Sequence, residues 1–562
     1  MKMLTGSLPV QSAFQSMIQL LNESSDIYDI VAACYYTIMQ SYHNRDYEFI
    51  TIIETLPRKR ERQINIIIEM FRKEISKYVC NFIEEQDIQL LLNNITGYLD
   101  SLSRNPKLNI NDYILFCAFY IIQLIDMAVD SKPKSNAYAF PDHGPLNKNV
   151  CKDKCFVYFN EHESFLRGVY NQGKTGFRKP LGNVRLGSIF RNIMMFESID
   201  FIAATPKIVP LFPTRECIKY LKEEQCLKIA SIPFIGFQTI EFWQAKDNTL
   251  CENLKDLKGE FYIKYNQESE KDNITRVTEL LQSAVANKAN IIVFPEYIMS
   301  PNMLDAISEQ LSDIQQKRCD NFERVIAVFA GTSFEYYDSN KSNNVLHILK
   351  EDGQDIGARY YKFSPFLTQA NEFVHGADYG SAEPKGFSGE SAAGEENIFN
   401  NWELLSDRGK ECTLIDIDGV GRVLPAICRD VIDGLYTDTL AKLFMPSLIM
   451  IPAWSSSVNS FRSRLSVLAE TIHTSSLLCN CCNAVKDVKG NIDDKQNIGM
   501  FVYPTKPIAD MIAEVCPLNR SHDCYSKCKD IAGCIHFIDL SWKNGFLSVN
   551  KEQICVQKSD LA

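Results

Sequence analysis

The chain has 562 residues, 45% hydrophobic and 23% charged, with a net charge of −11. That length exceeds one ordinary core and requires two or more domains, and the negative balance excludes a dedicated nucleic-acid binder. Nineteen cysteines without a charged-then-apolar leader over Met1 to Leu20 point to reduced thiols and a cytoplasmic setting.

Residues 1–130 read as a helical domain. Arg60 to Glu85 repeats apolar residues at three and four (Ile64, Ile67, Ile68, Phe71, Ile75, Val79, Phe82), just after Pro57. Asp112 to Val129 is apolar on most faces. Its core, Tyr113 to Val129, is broken by Gln123 and Asp126 and is short for a membrane span, so a buried helix and no membrane are expected. Residues 131–225 lose periodicity and read as an irregular, linker-rich region completing that domain. Up to residue 225 the charges balance, 26 basic against 25 acidic; beyond it they do not, 33 against 45.

From Cys226 strands alternate with helices, the mark of a mixed α/β domain over 226–545, followed by a tail over 546–562. Strands are expected from Cys226 and over Ile291 to Phe294, Val325 to Ala330, Val345 to Leu349, Cys412 to Ile417, Arg422 to Ile427, Leu448 to Ile451, Gly499 to Tyr503 and Cys534 to Asp539. Helices are expected over Ile274 to Ala289, Met303 to Lys317, Gly434 to Phe444 and Ser463 to Leu478. Gly376 to Glu396, rich in Gly, Ser, Ala and Glu, reads as a mobile loop.

Three segments carry the chemistry. I-I-V-F-P-E ends at Glu296, R-Y-Y-K at Lys362, and L-P-A-I-C-R-D contains Cys428. Each is an apolar run that stops at a polar residue, as a buried strand does where it reaches a cleft. Together they supply a carboxylate, an ammonium and a thiol, a set sufficient to attack a carbonyl or nitrile carbon. Aromatics beside Lys362 are expected to desolvate its ammonium and lower its pKa.

The order F-P-E, Y-Y-K, C-R-D, with successive groups 66 positions apart, resembles the nitrilase (carbon–nitrogen hydrolase) superfamily. The likeness covers about 226–545. It extends to Glu372 in N-E-F-V-H-G, to K-L-F-M-P-S-L-I-M-I-P-A-W-S-S-S with Trp454, to the segment around Asn483, and to G-M-F-V-Y-P-T-K-P. The resemblance implies a four-layer α-β-β-α sandwich. Glu296 is implied as general base and Cys428 as nucleophile, with Lys362 and the Arg429 N–H holding the developing charge. Glu372, Arg429, Asp430 and Trp454 are implied as support for substrate or oxyanion, with no metal or other cofactor.

The chain also departs from the pattern. Arg429 stands where many members carry an aromatic residue, and it either meets an acidic substrate group or pairs with Asp430; pairing is the expectation. The 56 residues from Glu372 to Cys428 are long for the family, and the loop among them is a candidate lid. Weaker candidates are metal sites at Cys516, His522, Cys524, Cys528 and Cys534, and at Cys151 and Cys155 near His143 and His162. G-K-T-G at Gly173 to Gly176 lacks the full phosphate-loop spacing. Lys174, Arg178, Lys179, Arg185 and Arg191 read as a solvated face, and Cys479, Cys481 and Cys482 as packing at a helix end.

The expected function is a cysteine hydrolase of non-peptide carbon–nitrogen bonds, most simply an amidase, acting on a small amide or nitrile. It is expected to form a homo-oligomer through the catalytic domain, with a partner or ligand at the N-terminal domain. The rival readings are a scaffold with this fold and no turnover, and a stress or defence effector switched by the N-terminal domain.

Overall fold

The computed structural model describes residues 17–21, 27–42, scattered helical positions between 93 and 125, 155–159 and 193–197. With short interruptions it then describes 207–251, 260–369, 400–481, 497–505, 513–519, 535–549 and 555–557. The fold is mixed α/β. Two compact units divide the chain: residues 1–163, 167–201 and 442–444 form one, and 164–166, 202–441 and 445–562 the other.

In the first unit, α1 (Ile27–Tyr42) buries Ile30, Val31, Ala33, Cys34 and Ile38. Phe119, Ile121, Ile122 and Ile125, within the expected Asp112 to Val129 helix, are helical and buried. The expected helix over Arg60 to Glu85 lies outside the described residues. β1 (Cys155–Phe159) and β2 (Ile193–Glu197) pair antiparallel.

The second unit opens with β3 (Lys207–Leu211), α2 (Arg215–Glu224), β4 (Cys226–Ser231), β5 (Ile240–Gln244), β6 (Thr249–Cys251) and β7 (Glu260–Tyr265). It continues through α3 (Gln267–Ala286), β8 (Ile291–Val293), α4 (Pro301–Gln316), β9 (Ala327–Asp338), β10 (Lys341–Lys350), β11 (Tyr360–Tyr361), β12 (Leu367–Gln369) and β13 (Asn400–Glu403). The remaining elements are β14 (Thr413–Ile417), β15 (Gly421–Pro425), α5 (Arg429–Asp433), α6 (Leu435–Phe444), β16 (Leu448–Ala453), α7 (Asn459–Ile472), β17 (Ser475–Asn480), β18 (Asn497–Pro504), β19 (Ala513–Asn519), β20 (Ile535–Lys543), β21 (Phe546–Val549) and β22 (Cys555–Gln557).

Among the described residues of this unit three sheets form. The largest runs β11-β10-β9-β8-β4-β20-β21, with β22 also on β20; the second runs β19-β18-β17-β16-β15-β14-β3; a smaller one runs β12-β13-β7-β5-β6. β8, β15, β16 and β17 are buried along their whole length. This is why their sequences are continuous apolar runs rather than alternations.

α3 begins where the Asn266 side chain accepts from the N–H groups of Glu268 and Ser269, and α4 where Ser300 caps the Met303 N–H with Pro301 in the first turn. Both helices face the largest sheet: Val277, Leu281, Ile307 and Leu311 join Ile292 and Val328 in one core. α7 buries Phe461, Leu465, Leu468 and Ile472 and packs on β17, β18 and β19. The two large sheets are stitched directly. The Cys479 thiol donates to the carbonyls of Val293 (3.4 Å) and Ile232 (3.7 Å), and the Ser475 hydroxyl to Leu547 (2.8 Å).

Two expectations need correction. The helix expected over Ser463 to Leu478 stops at Ile472, and Ser475–Asn480 is an interior strand, so Cys479 packs within a sheet. A short apolar run buried on both sides has no period to separate strand from helix. The stretch 131–225, read as irregular, contains β1, β2, β3 and α2. β3 was hidden by Pro210, which reads as a breaker. β3 sits at the sheet edge, where proline is tolerated, and pairs parallel with β14 from Lys207↔Thr413 to Leu211↔Ile417. Gly376 to Glu396 lies outside the described residues.

Candidate active site

Each reactive side chain sits where a strand runs out. Past β8, the Phe294 N–H bonds to Phe329 (2.9 Å), Pro295 has no donor, and the Glu296 N–H crosses to Ala453 of the other large sheet (3.4 Å). The bend is tight. Gly331 has a φ of +78°, and a Cβ there would lie 2.3 Å from the Pro295 carbonyl oxygen, so only glycine permits the approach. Lys362 follows β11, its N–H bonded to the Asn344 carbonyl (3.0 Å).

Cys428 lies between β15 and α5. Its N–H bonds to Pro452 (3.0 Å). Its φ of 42° and ψ of −103° are strained for a residue with a Cβ. The backbone therefore turns sharply at the thiol, and Arg429 becomes the first residue of a helix, with no intrahelical acceptor for its N–H.

These ends converge. Lys362 Nζ lies 2.7 Å from Glu296 Oε1 and 2.8 Å from Glu403 Oε2, with all three side chains fully buried. It also donates to the Tyr297 hydroxyl at 3.2 Å. Asn344 Nδ2 donates to Glu296 Oε1 (2.8 Å) and to Glu403 Oε1 (3.0 Å). The other Glu296 oxygen accepts from the Trp454 N–H (3.0 Å). The Cys428 thiol lies 4.0 Å from the Trp454 carbonyl, and the charges of Glu296 and Lys362 both act on it. Cys428 itself is 2% exposed.

Electrostatics follow from burial and these pairings. Burial raises the Glu296 pKa, Lys362 pulls it down, and Glu403 pushes it up, leaving it raised. Burial opposes the charge on Lys362, but Glu296 and Glu403 outweigh it and hold its pKa above the ordinary lysine value. The expected lowering by neighbouring aromatics is therefore reversed: two carboxylates at ion-pair distance exceed desolvation. Burial and the Glu296 charge raise the Cys428 thiol. The thiol is thus protonated at rest and needs a base, and Glu296, whose charge acts on it, is a carboxylate of raised proton affinity.

Asp430 has a different place from the one expected. Its Oδ1 accepts from the N–H groups of Phe363 (3.1 Å) and Ser364 (2.6 Å), and its Oδ2 from the Tyr360 hydroxyl (3.2 Å) and the Ile427 N–H (3.3 Å). It ties the lysine segment to the cysteine turn. Arg429 pairs instead with Asp433, one helical turn on, at 3.2 Å; neighbours four apart on a helix meet, whereas adjacent residues diverge. Trp454 contributes its backbone to Glu296 and its ring to contacts with Phe242 (5.9 Å) and Tyr297 (6.3 Å).

Glu372 lies outside the described residues; the second carboxylate on Lys362 is Glu403, at the end of β13. Sequence reasoning missed both Glu403 and Asn344. The available signal for Glu403 was an acid inside the apolar run W-E-L-L. Among the described residues no group of three or more His, Cys, Asp or Glu is arranged for a metal. Cys516 is in β19, its thiol pushed up to about 11 by burial. Its expected partners His522, Cys524, Cys528 and Cys534, and Cys151, His143 and His162, lie outside the described residues, as do Gly173 to Gly176 and the basic group from Lys174 to Arg191.

No family model and no curated protein matches the chain. Similar solved structures include a double mutant of the amidase from Nesterenkonia sp. AN1 with acrylamide, at 11% identity over 52% of this chain and 91% of that one, with a TM-score of 0.30. A further mutant of the same amidase, described as from the nitrilase superfamily, shows 12% identity over 52% and 88%, TM-score 0.29. The glutamine-dependent NAD+ synthetase from Acinetobacter baumannii in complex with ADP shows 13% identity over 60% and 49%, TM-score 0.33. Likenesses of this size leave the chemistry to be read from the site's own geometry.

Proposed function

We propose that the chain is a cysteine-dependent hydrolase of non-peptide carbon–nitrogen bonds, acting on a small amide, with nitrile and carbamoyl carbons open to the same chemistry. One observation carries this: the buried Glu296 carboxylate holds the Lys362 ammonium at 2.7 Å and the Trp454 N–H at 3.0 Å, and the Cys428 thiol faces the carbonyl of the same Trp454 at 4.0 Å. We take the second unit as a four-layer α-β-β-α sandwich with this site between its two large sheets. We take the enzyme as a cytoplasmic homo-oligomer, with the N-terminal unit as its regulatory or assembly part.

In this reading Glu296 takes the Cys428 proton as sulfur attacks the amide carbon. The charge that develops on the amide oxygen meets the Lys362 ammonium and the Arg429 N–H. Collapse of the tetrahedral species breaks the carbon–nitrogen bond, and the Glu296 proton leaves on the amine. Glu296 then deprotonates water, hydroxide adds to the thioester, and the expelled thiolate recovers its proton from Glu296. Glu403 keeps Lys362 charged and aimed.

The test is alkylation of Cys428 against pH, followed by peptide mass spectrometry beside the other cysteines. Selective modification near neutral pH that drops at least tenfold in Glu296→Gln, with release of ammonia or amine from an amide panel, supports the reading. Unselective modification indifferent to Glu296 refutes it.

A further inference from the structure

We infer that Asn344 is a positioning residue of this site: its amide, donating to both carboxylates at once, keeps Glu296 the ionised base that takes the Cys428 proton. The inference rests on the reading above and deepens it.

Asn344 lies in β10 and is fully buried. Its side-chain nitrogen spends both hydrogens on anions, Glu296 Oε1 at 2.8 Å and Glu403 Oε1 at 3.0 Å. Lys362 bridges the same two carboxylates. Four side chains thus close a ring, Glu296–Lys362–Glu403–Asn344, in which one positive charge faces two negative ones. That imbalance favours a proton on one carboxylate. A second ammonium would restore neutrality but would also weaken Glu296 as a base. A neutral double donor solvates both anions and adds no charge.

The amide's orientation supports this role. Asn344 Oδ1 is buried and has no hydrogen-bond partner among the described residues. Leaving a buried acceptor unpaired costs about 1–3 kcal/mol. Turning the amide over would not relieve that cost, because it would aim the carbonyl oxygen at two carboxylates. The unpaired oxygen is the consequence of placing both donors on the anions. The Asn344 carbonyl also receives the Lys362 N–H at 3.0 Å, so the residue that spaces the carboxylates also sets where the lysine starts.

Among the described residues the groups facing this cluster are Lys362 after β11, Glu403 of β13, Cys428 after β15, the Trp454 N–H after β16, the Tyr297 hydroxyl on Lys362 and Asn344 itself. Among them only Asn344 stabilises both anions without titrating.

The experiment is the pH profile of Cys428 alkylation by iodoacetamide in the full chain, with Asn344→Leu and Asn344→Ser beside the wild type. Loss of both donors is expected to move the acid limb about one pH unit upward, with the alkaline plateau retained. Ser, keeping one donor, is expected to fall between, and its profile decides the matter if Leu does not fold. A limb that stays in place, or a rate lowered evenly at all pH values, overturns the inference and leaves Asn344 a structural residue. Glu296→Gln separates the two levels. If that variant abolishes the limb and the Asn344 variants do not shift it, the inference alone fails. If it leaves the limb untouched, the base assignment beneath it fails as well.

Discussion

At the scale of single residues, Cys428 has its thiol beside the base because its backbone is bent into a conformation that side chains avoid. A φ of 42° with ψ of −103° costs about 1–3 kcal/mol for a residue with a Cβ. Glycine adopts it freely, at about 0.5–1 kcal/mol of added chain entropy. Cys428→Gly is therefore expected to be more stable to urea than Cys428→Ala, by about 1 kcal/mol, the reverse of the usual order. Equal or lower stability of the glycine variant would show that the turn is not strained. Glu296, Lys362 and Cys428 stood out in the sequence because each ends an apolar run; that the three belong to one site was what the nitrilase resemblance implied. Asn344 and Glu403 were not legible. S-N-N-V reads as a solvated lead into a strand, and Glu403 reaches Lys362 only because β13 pairs parallel with β7 through Glu403↔Phe261, a long-range register that leaves no local mark.

Between elements, Asp430 is the joint. One buried carboxyl accepts from Tyr360 in β11, from Ser364 after it and from Ile427 at the cysteine turn. Burial pushes its pKa up to about 7, against 3.8 for an ordinary aspartate, while the N–H groups and Lys362 pull the other way. The folded protein then holds a proton that the unfolded chain has already lost. The stability this contributes is fully present below pH 3.8 and is lost as pH rises through 7. The stability difference between wild type and Asp430→Asn, from urea melts at pH 4 to 8, is expected to fall by at most about 4 kcal/mol and then level off. A difference flat across that range would show that Asp430 is ionised throughout. α3 and α4 were readable as elements, although the expected start of α3 at Ile274 falls inside the helix that begins at Gln267 behind its Asn266 cap. Elements were not readable where burial removes the period: β17 was taken for the end of α7, although Ser475–Asn480 is covered along its whole length.

For the whole molecule, the boundary of the second unit is a question of sheet edges. Composition changes at Cys226, and a cut there looks natural. Such a cut removes β3, the strand that covers β14 at the end of its sheet. β14 is buried at every position, so its uncovered edge would present apolar residues and a row of free backbone groups to other chains. A fragment starting at residue 202 keeps β3, and one starting at residue 226 does not. The first is expected to stay soluble, with Cys428 alkylated selectively over the other cysteines. The second is expected to aggregate at micromolar concentration or to pair through the exposed edge. Size-exclusion chromatography with light scattering separates these outcomes. Equal solubility and equal reactivity of the two fragments would mean that β3 is dispensable and that the domain begins where the composition changes.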